Sequence, residues 1–217
     1  MLLLAAMKLQ TLSVNVARPH VLAVLDGEEV ISAIAKKPVS LSEVQVGLTN
    51  IEGDGQADLS VHGGPDKAVY AYPADNWAWW REQHQFEAGP AAFGENLTVL
   101  GADETVMHIG DRFRWGSALM EISQPRMPCF KMQLHARRMD IAALLTISGR
   151  CGWYLRVIEP GAAPVDAPLG RVSAREGVSV RETFLATFNR RLPEETRRQM
   201  AAHPELASAW KGALLRE

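Results

Sequence analysis

Residues 110–131 read GDRFRWGSALMEISQPRMPCFK, and this stretch decides the fold. Residues 110–115 and 118–123 are strand candidates joined by Gly116-Ser117, a two-residue connection that suits a β-hairpin. The second strand runs into Gln124-Pro125-Arg126-Met127-Pro128-Cys129-Phe130-Lys131. Pro125 and Pro128 each remove a backbone donor and fix φ, so the segment reads as neither helix interior nor central strand. Cys129 therefore sits on a stiff, irregular segment with Arg126 and Lys131 beside it. Positive charge nearby favours the thiolate, the nucleophilic and metal-ligating form of cysteine. A buried, inert thiol is the alternative, because free cysteine is among the most buried residue types.

The same strand grammar recurs on both sides. Lys8–Val16 alternates polar and apolar residues imperfectly, and residues 21–25 and 29–35 flank Asp26-Gly27, a type I′ hairpin signal. Residues 67–72, 97–100 and 153–158 are further strand candidates, the last carrying Arg156 among apolar neighbours. An arginine there needs a partner anion or a barrel interior that holds one. Short strands at this spacing predict a mainly β barrel or sandwich with a few helices. Residues 73–85 read as a helix whose Trp77 and Trp80 serve core packing rather than a stacking platform, and 139–146 as a short buried helix. Residues 160–168 read as a proline- and alanine-rich loop.

Between 46 and 66 the chain is rich in glycine and short polar residues. Successive backbone amides in such a stretch form anion-binding concavities. The spacing matches neither a Walker loop nor a dinucleotide fingerprint, and tight turns between strands are the plainer alternative. From about residue 173 the pattern becomes helical. Ser179-Val180-Arg181-Glu182 is a capping box, Pro193 suits a first helical position, and His203-Pro204-Glu205 opens a third helix. Glutamates balance Arg190, Arg191, Arg197 and Arg198, which favours a docking or dimerisation module over a DNA-binding helix-turn-helix.

The 217 residues, 47% apolar and 22% charged, suffice for one core with an appendage or for two small domains. A net charge of −2 argues against a nucleic-acid partner. Two cysteines make no disulfide framework and cannot alone close a structural zinc site, and free thiols suit the cytoplasm. The apolar start lacks a positive n-region and is interrupted by Lys8, so it reads as neither signal peptide nor membrane span. Met7 reads as the opening of the fold.

Several runs in order resemble one family. They are Gly53-Asp54-Gly55-Gln56-Ala57-Asp58, His62-Gly63-Gly64-Pro65-Asp66-Lys67, Gly94-Glu95-Asn96-Leu97-Thr98, Gly110-Asp111, the segment through Cys129, and Gly152-Trp153-Tyr154-Leu155-Arg156-Val157. Together they look like the MOSC domain of the bacterial YiiM type. The resemblance implies a MOSC-type β-barrel over residues 7–172 and a three-helix extension over 173–217. It implies the molybdenum cofactor (molybdopterin), with Cys129 as the metal-ligating thiolate; pyridoxal phosphate is not expected. Arg126, Lys67 and Arg156, with Gly63 and Gly64, are the candidates for holding pterin and phosphate. His62 and Asp54 are the candidates for proton delivery. Cys151, in a plain turn, is read as the thiol that does not ligate.

The activity implied is reduction of N-hydroxylated compounds, such as hydroxylaminopurine base analogues, with electrons from a separate flavoprotein. A bacterial cytoplasmic homodimer with no membrane partner completes the expectation. Two alternatives stand beside it. One is a cofactor carrier or sulfur-transfer protein bearing a Cys129 persulfide, and the other is a non-catalytic interaction module.

Overall fold

The computed structural model describes residues 7–58, 63–189 and 192–216. Strand β1 (Lys8–Val16) buries Leu9, Thr11, Val14 and Asn15. Its alternation slips where the register against its neighbour shifts between Thr11 and Ser13, so a bulge at half-exposed Leu12 explains the imperfect pattern. β2 (His20–Leu25) and β3 (Glu28–Ser32) form a separate hairpin. Its turn has φ of 51° at Asp26 and 85° at Gly27, both left-handed as a type I′ turn requires. β4 (Lys37–Pro38) and β5 (Glu43–Val46) follow.

β6 (Val69–Pro73) is wholly buried and leads through a short 3₁₀ turn into α1 (Trp77–His84). This crossover lets β7 (Leu97–Leu100) lie parallel to β6. β8 (Arg112–Trp115) and β9 (Ala118–Pro125) make the hairpin expected around Gly116-Ser117. Gly116 is obligatory there: φ is +57°, and a Cβ would lie 2.3 Å from the Ala162 carbonyl oxygen. β9 continues past the sequence-based boundary, pairing Gln124 and Pro125 with Tyr154 and Trp153, because β8 has ended and Pro125 has a neighbour on one side only.

α2 (Phe130–Ala136) begins directly after Cys129 and was not anticipated; seven residues carry too little periodicity to announce a helix. α3 (Ile141–Ser148) ends at Gly149 in the left-handed region. β10 (Trp153–Glu159) is followed by β11 (Gly161–Pro164), which corrects the loop expected over 160–168. β11 pairs antiparallel with β5 and buries Ala163, a tertiary contact that no local propensity signals. β12 (Leu169–Ser173) is the last strand.

Seven strands close a barrel in the order β1, β12, β8, β9, β10, β6, β7 and back to β1. Its core holds Phe113, Trp115 and Trp153. A second cluster, with Tyr72, Trp80, Phe93 and Met132, lies under α1, α2 and α3. Trp80 is fully buried and donates to the Tyr72 hydroxyl at 2.5 Å, so it packs as expected.

The tail folds onto the barrel. α4 (Val180–Phe188) is opened by the anticipated capping box: Ser179 Oγ accepts from the Glu182 amide and Glu182 accepts from the Ser179 amide. α5 (Glu194–Ala201) begins one residue after Pro193, which stands just before the helix rather than at its first position and makes no side-chain capping bond. The third helix, α6 (Ser208–Leu215), starts later than His203-Pro204-Glu205, which instead forms a turn with the Leu206 amide donating to the His203 carbonyl. Phe184, Trp210 and Leu214 join the barrel cluster, and the Ala207 amide donates to the Ser123 carbonyl of β9 at 2.9 Å.

Candidate active site

A cleft with about 580 Å³ of empty space, counting its open mouth, lies between the β2–β3 hairpin and its exit, the glycine-rich stretch and the end of β9. Residues 54–58 of the glycine-rich stretch form one wall, while Tyr70 and Tyr154, on the adjacent strands β6 and β10, form the floor with Arg126. Cys129 lines the cleft and is half-buried, at the extended residue that precedes α2.

Arg126 is 5% exposed. Its Nη2 donates toward Cys129 Sγ at 3.6 Å, its Nη1 donates to the Met127 carbonyl, and its guanidinium lies 5.4 Å from the centre of the Tyr70 ring. Its Nε is buried without a hydrogen-bond partner. Burial pulls the Arg126 pKa down, but Tyr154, Cys129 and Tyr70 raise it more, so the guanidinium stays charged. Lys67 is pushed below the ordinary lysine value, first by burial and then by the charge of Arg126. Two cations that disfavour each other in one cleft are the electrostatic mark of an anion site.

Asp54 is 2% exposed and accepts from Lys36 Nζ, from the Ala17 amide at 2.9 Å and from Asn96 Nδ2 at 2.9 Å. Asn96 also accepts from the Tyr70 amide at 3.0 Å and donates to the Asn15 carbonyl at 3.2 Å, tying β1, β6 and the glycine-rich stretch together. Glu95 beside it is raised to about 7 by burial, opposed by bonds from Thr98 Oγ1 and the Phe93 and Ala91 amides.

Of the residues singled out from sequence, Cys129, Arg126, Lys67 and Asp54 meet in this cleft. Arg156 does not line it: Nε donates to Asp66 at 2.8 Å and Nη1 to Glu121 at 3.0 Å, the partner anions its strand demanded. Gly63 and Gly64 precede a short 3₁₀ turn at Pro65–Lys67 and are not among the described residues lining the cleft. His62 lies outside the described residues. Cys151 is fully buried, its thiol donating to the Gly152 carbonyl and raised well above the usual value by burial. Lys36, Tyr70, Asn96 and Tyr154 were not singled out. Three of them stand inside or beside recognised motifs, whereas Lys36 next to Lys37 reads as a surface lysine.

Comparison with known proteins bears directly on this geometry. The MOSC domain model matches residues 58–175. The chain belongs to the MOSC-domain family. It is 39% identical to protein YiiM of Escherichia coli K12 over 183 residues, covering 82% of this chain and 81% of that one. The crystal structure of YiiM from Geobacillus stearothermophilus superposes with a TM-score of 0.78 at 31% identity, covering 96% of this chain and all of that one. A protein named reductase from Gibberella moniliformis is 34% identical over 139 residues, 62% of this chain and 24% of that protein.

MOSC domains are associated with the molybdenum cofactor, and the cleft fits such a group. Among the described residues no cluster of three His, Cys, Asp or Glu side chains could cage a bare metal ion. A single thiol instead suits a metal whose other ligands arrive with a cofactor, and thiolate ligation suits a soft, thiophilic centre. The orphaned Nε of Arg126 and the mutually repelling Lys67 suit the phosphate of a pterin. Among the described residues no helix is long and apolar enough to cross a membrane.

Proposed function

We propose that the protein is a molybdenum cofactor-dependent reductase of N-hydroxylated compounds, hydroxylaminopurine base analogues among them, fed by a separate flavoprotein. The observation that carries this reading is the half-buried Cys129 thiol at the wall of a cation-lined cleft, 3.6 Å from Arg126. Cys129 would hold the metal, and Arg126 and Lys67 the pterin phosphate. When bound, the cofactor supplies two-electron removal of oxygen. The chain's own contribution is orientation, charge and exclusion of water. Tyr70 and Tyr154 are raised by burial, so both phenols stay neutral and offer apolar faces to a planar base.

The name of the Gibberella relative supports a reductase, and Cys129 and Cys151, neither in a disulfide, fit the cytoplasm. Further partners in this reading are the flavoprotein and a second copy of the chain. Elemental analysis after expression in a cofactor-competent host tests the reading, together with reduction of 6-N-hydroxylaminopurine to adenine. Stoichiometric molybdenum with turnover supports it. Zinc in place of molybdenum overturns it, and molybdenum without turnover assigns the protein to cofactor carriage.

A further inference from the structure

We infer that Lys36, anchored on Asp54, is the proton donor to the oxygen that leaves the substrate in this cleft. The inference rests on the reductase reading and names the group that completes its chemistry.

A buried lysine is uncommon and needs a reason. The Lys36 side chain is 8% exposed and pairs with Asp54, whose side chain is 1% exposed. Both line the same cleft as Cys129. Asp54 is the less suited of the two to deliver a proton. Its oxygens are already engaged as acceptors, from Lys36, the Ala17 amide and Asn96. Lys36 is the reverse case. Its ammonium has three N–H groups, and among the described residues Asp54 is the one hydrogen-bond partner recorded for Nζ. The remaining donors have the cleft to serve.

Arg126, Lys131 and the Tyr70 hydroxyl are less suited. The Arg126 guanidinium does not release a proton in the physiological range. Lys131 donates to the Ile31 carbonyl at 2.8 Å, and the Tyr70 hydroxyl to the Cys151 carbonyl at 2.9 Å. Burial pulls the Lys36 pKa below the ordinary lysine value, with Asp54 and then Glu95 opposing it. Asp58, Lys67, Arg126 and Lys131 are the other charged groups of the same cleft. An ammonium made easier to deprotonate, yet kept charged by one adjacent carboxylate, is the pattern of a general acid.

The reaction balances as R–NHOH plus two protons and two electrons giving R–NH₂ and water. The N–O bond breaks, Lys36 gives one proton to the departing oxygen, and the second proton comes from solvent. Both electrons come from the reduced molybdenum cofactor, recharged by a reduced flavin. Lys36 is left as a neutral amine and takes up a proton from water at the cleft mouth.

The test uses holoprotein from a cofactor-competent host, 6-N-hydroxylaminopurine as substrate and reduced viologen as electron source. Lys36→Arg keeps the charge without a releasable proton, and Lys36→Met paired with Asp54→Asn removes the pair without stranding a buried carboxylate. Molybdenum content should stay at the wild-type level in both, while kcat falls about 100-fold or more. The wild-type rate should decline toward alkaline pH, and this limb should vanish from the residual activity of the variants. A Lys36→Arg protein that turns over normally overturns the proton role. Loss of molybdenum from both variants shows Lys36 to be a cofactor anchor and overturns it equally. Wild-type protein that holds molybdenum but reduces nothing overturns the reductase reading, and this inference with it.

Discussion

Arg126 Nη2 lies 3.6 Å from Cys129 Sγ, three residues along the chain. Pro125, the last residue of β9, and Pro128 stiffen the segment that carries both residues, and Tyr70 packs against the guanidinium face. A charge so placed favours the thiolate and leaves Nε for another acceptor. Cys129→Ser should abolish reduction and strip molybdenum. Cys151→Ser, in the buried thiol outside the cleft, should leave metal content intact. Elemental analysis of both variants checks the assignment, and equal metal loss would defeat it.

The arginines separate into two kinds. Arg126→Ala should lower molybdenum occupancy by about 10- to 100-fold in affinity, since a charged hydrogen bond contributes roughly 1.5–3 kcal/mol. Arg156→Ala should act on stability instead, because it leaves Glu121, 2% exposed, with Arg112 as its remaining ion-pair partner. A cost of about 1–3 kcal/mol is expected from that loss. Denaturant melts and metal analysis on the same two proteins distinguish the roles.

Gly94 is closely packed against the cleft wall. Its φ is +78°, and a Cβ would lie 2.4 Å from Ile34 Cγ1 and 3.2 Å from the Ile34 carbonyl. Gly94→Ala combines left-handed strain of about 1–2 kcal/mol with overpacking of about 1–3 kcal/mol. Both residues line the cleft, so cofactor occupancy should fall together with the melting temperature.

Glu95 and Glu104 are buried and both raised to about 7, chiefly by loss of solvation. Between pH 4.5 and about 7 the native chain holds protons that the unfolded chain has released. Stability from these groups is therefore fully present below pH 4.5 and is lost as pH rises through 7. Each contributes at most on the order of 3 kcal/mol, at about 1.4 kcal/mol per pKa unit. Urea midpoints should fall from pH 5 to pH 8, and Glu104→Gln should flatten the slope. An unchanged slope in that variant would show Glu104 ionised throughout.

Deletion after Val172 should yield a poorly soluble protein. Phe184, Trp210 and Leu214 complete the barrel's own core, and β9 is buried along its whole length, with α4 packed against it. Trp210→Ala alone should cost about 3–5 kcal/mol. A truncated protein that stays soluble and fully active would show the tail dispensable. Sedimentation of the full-length chain tests the homodimer separately.

Local chemistry made much of the fold legible from the residues alone. Asp26-Gly27 requires two left-handed residues, Gly116-Ser117 makes a two-residue hairpin connection, and Ser179 with Glu182 closes its own cap; each signal is complete within a few positions. The motifs around Cys129 and Arg126 were readable for the same reason. Tertiary structure alone decided that β1 meets β12, that β5 and β11 pair despite weak strand character, and that Arg156 serves two carboxylates rather than the cleft. It also joined Lys36, Asp54 and Asn96, which lie 18 and 42 positions apart along the chain. A lysine beside another lysine carries no local sign of burial. Its environment is set by residues that only barrel closure brings to it.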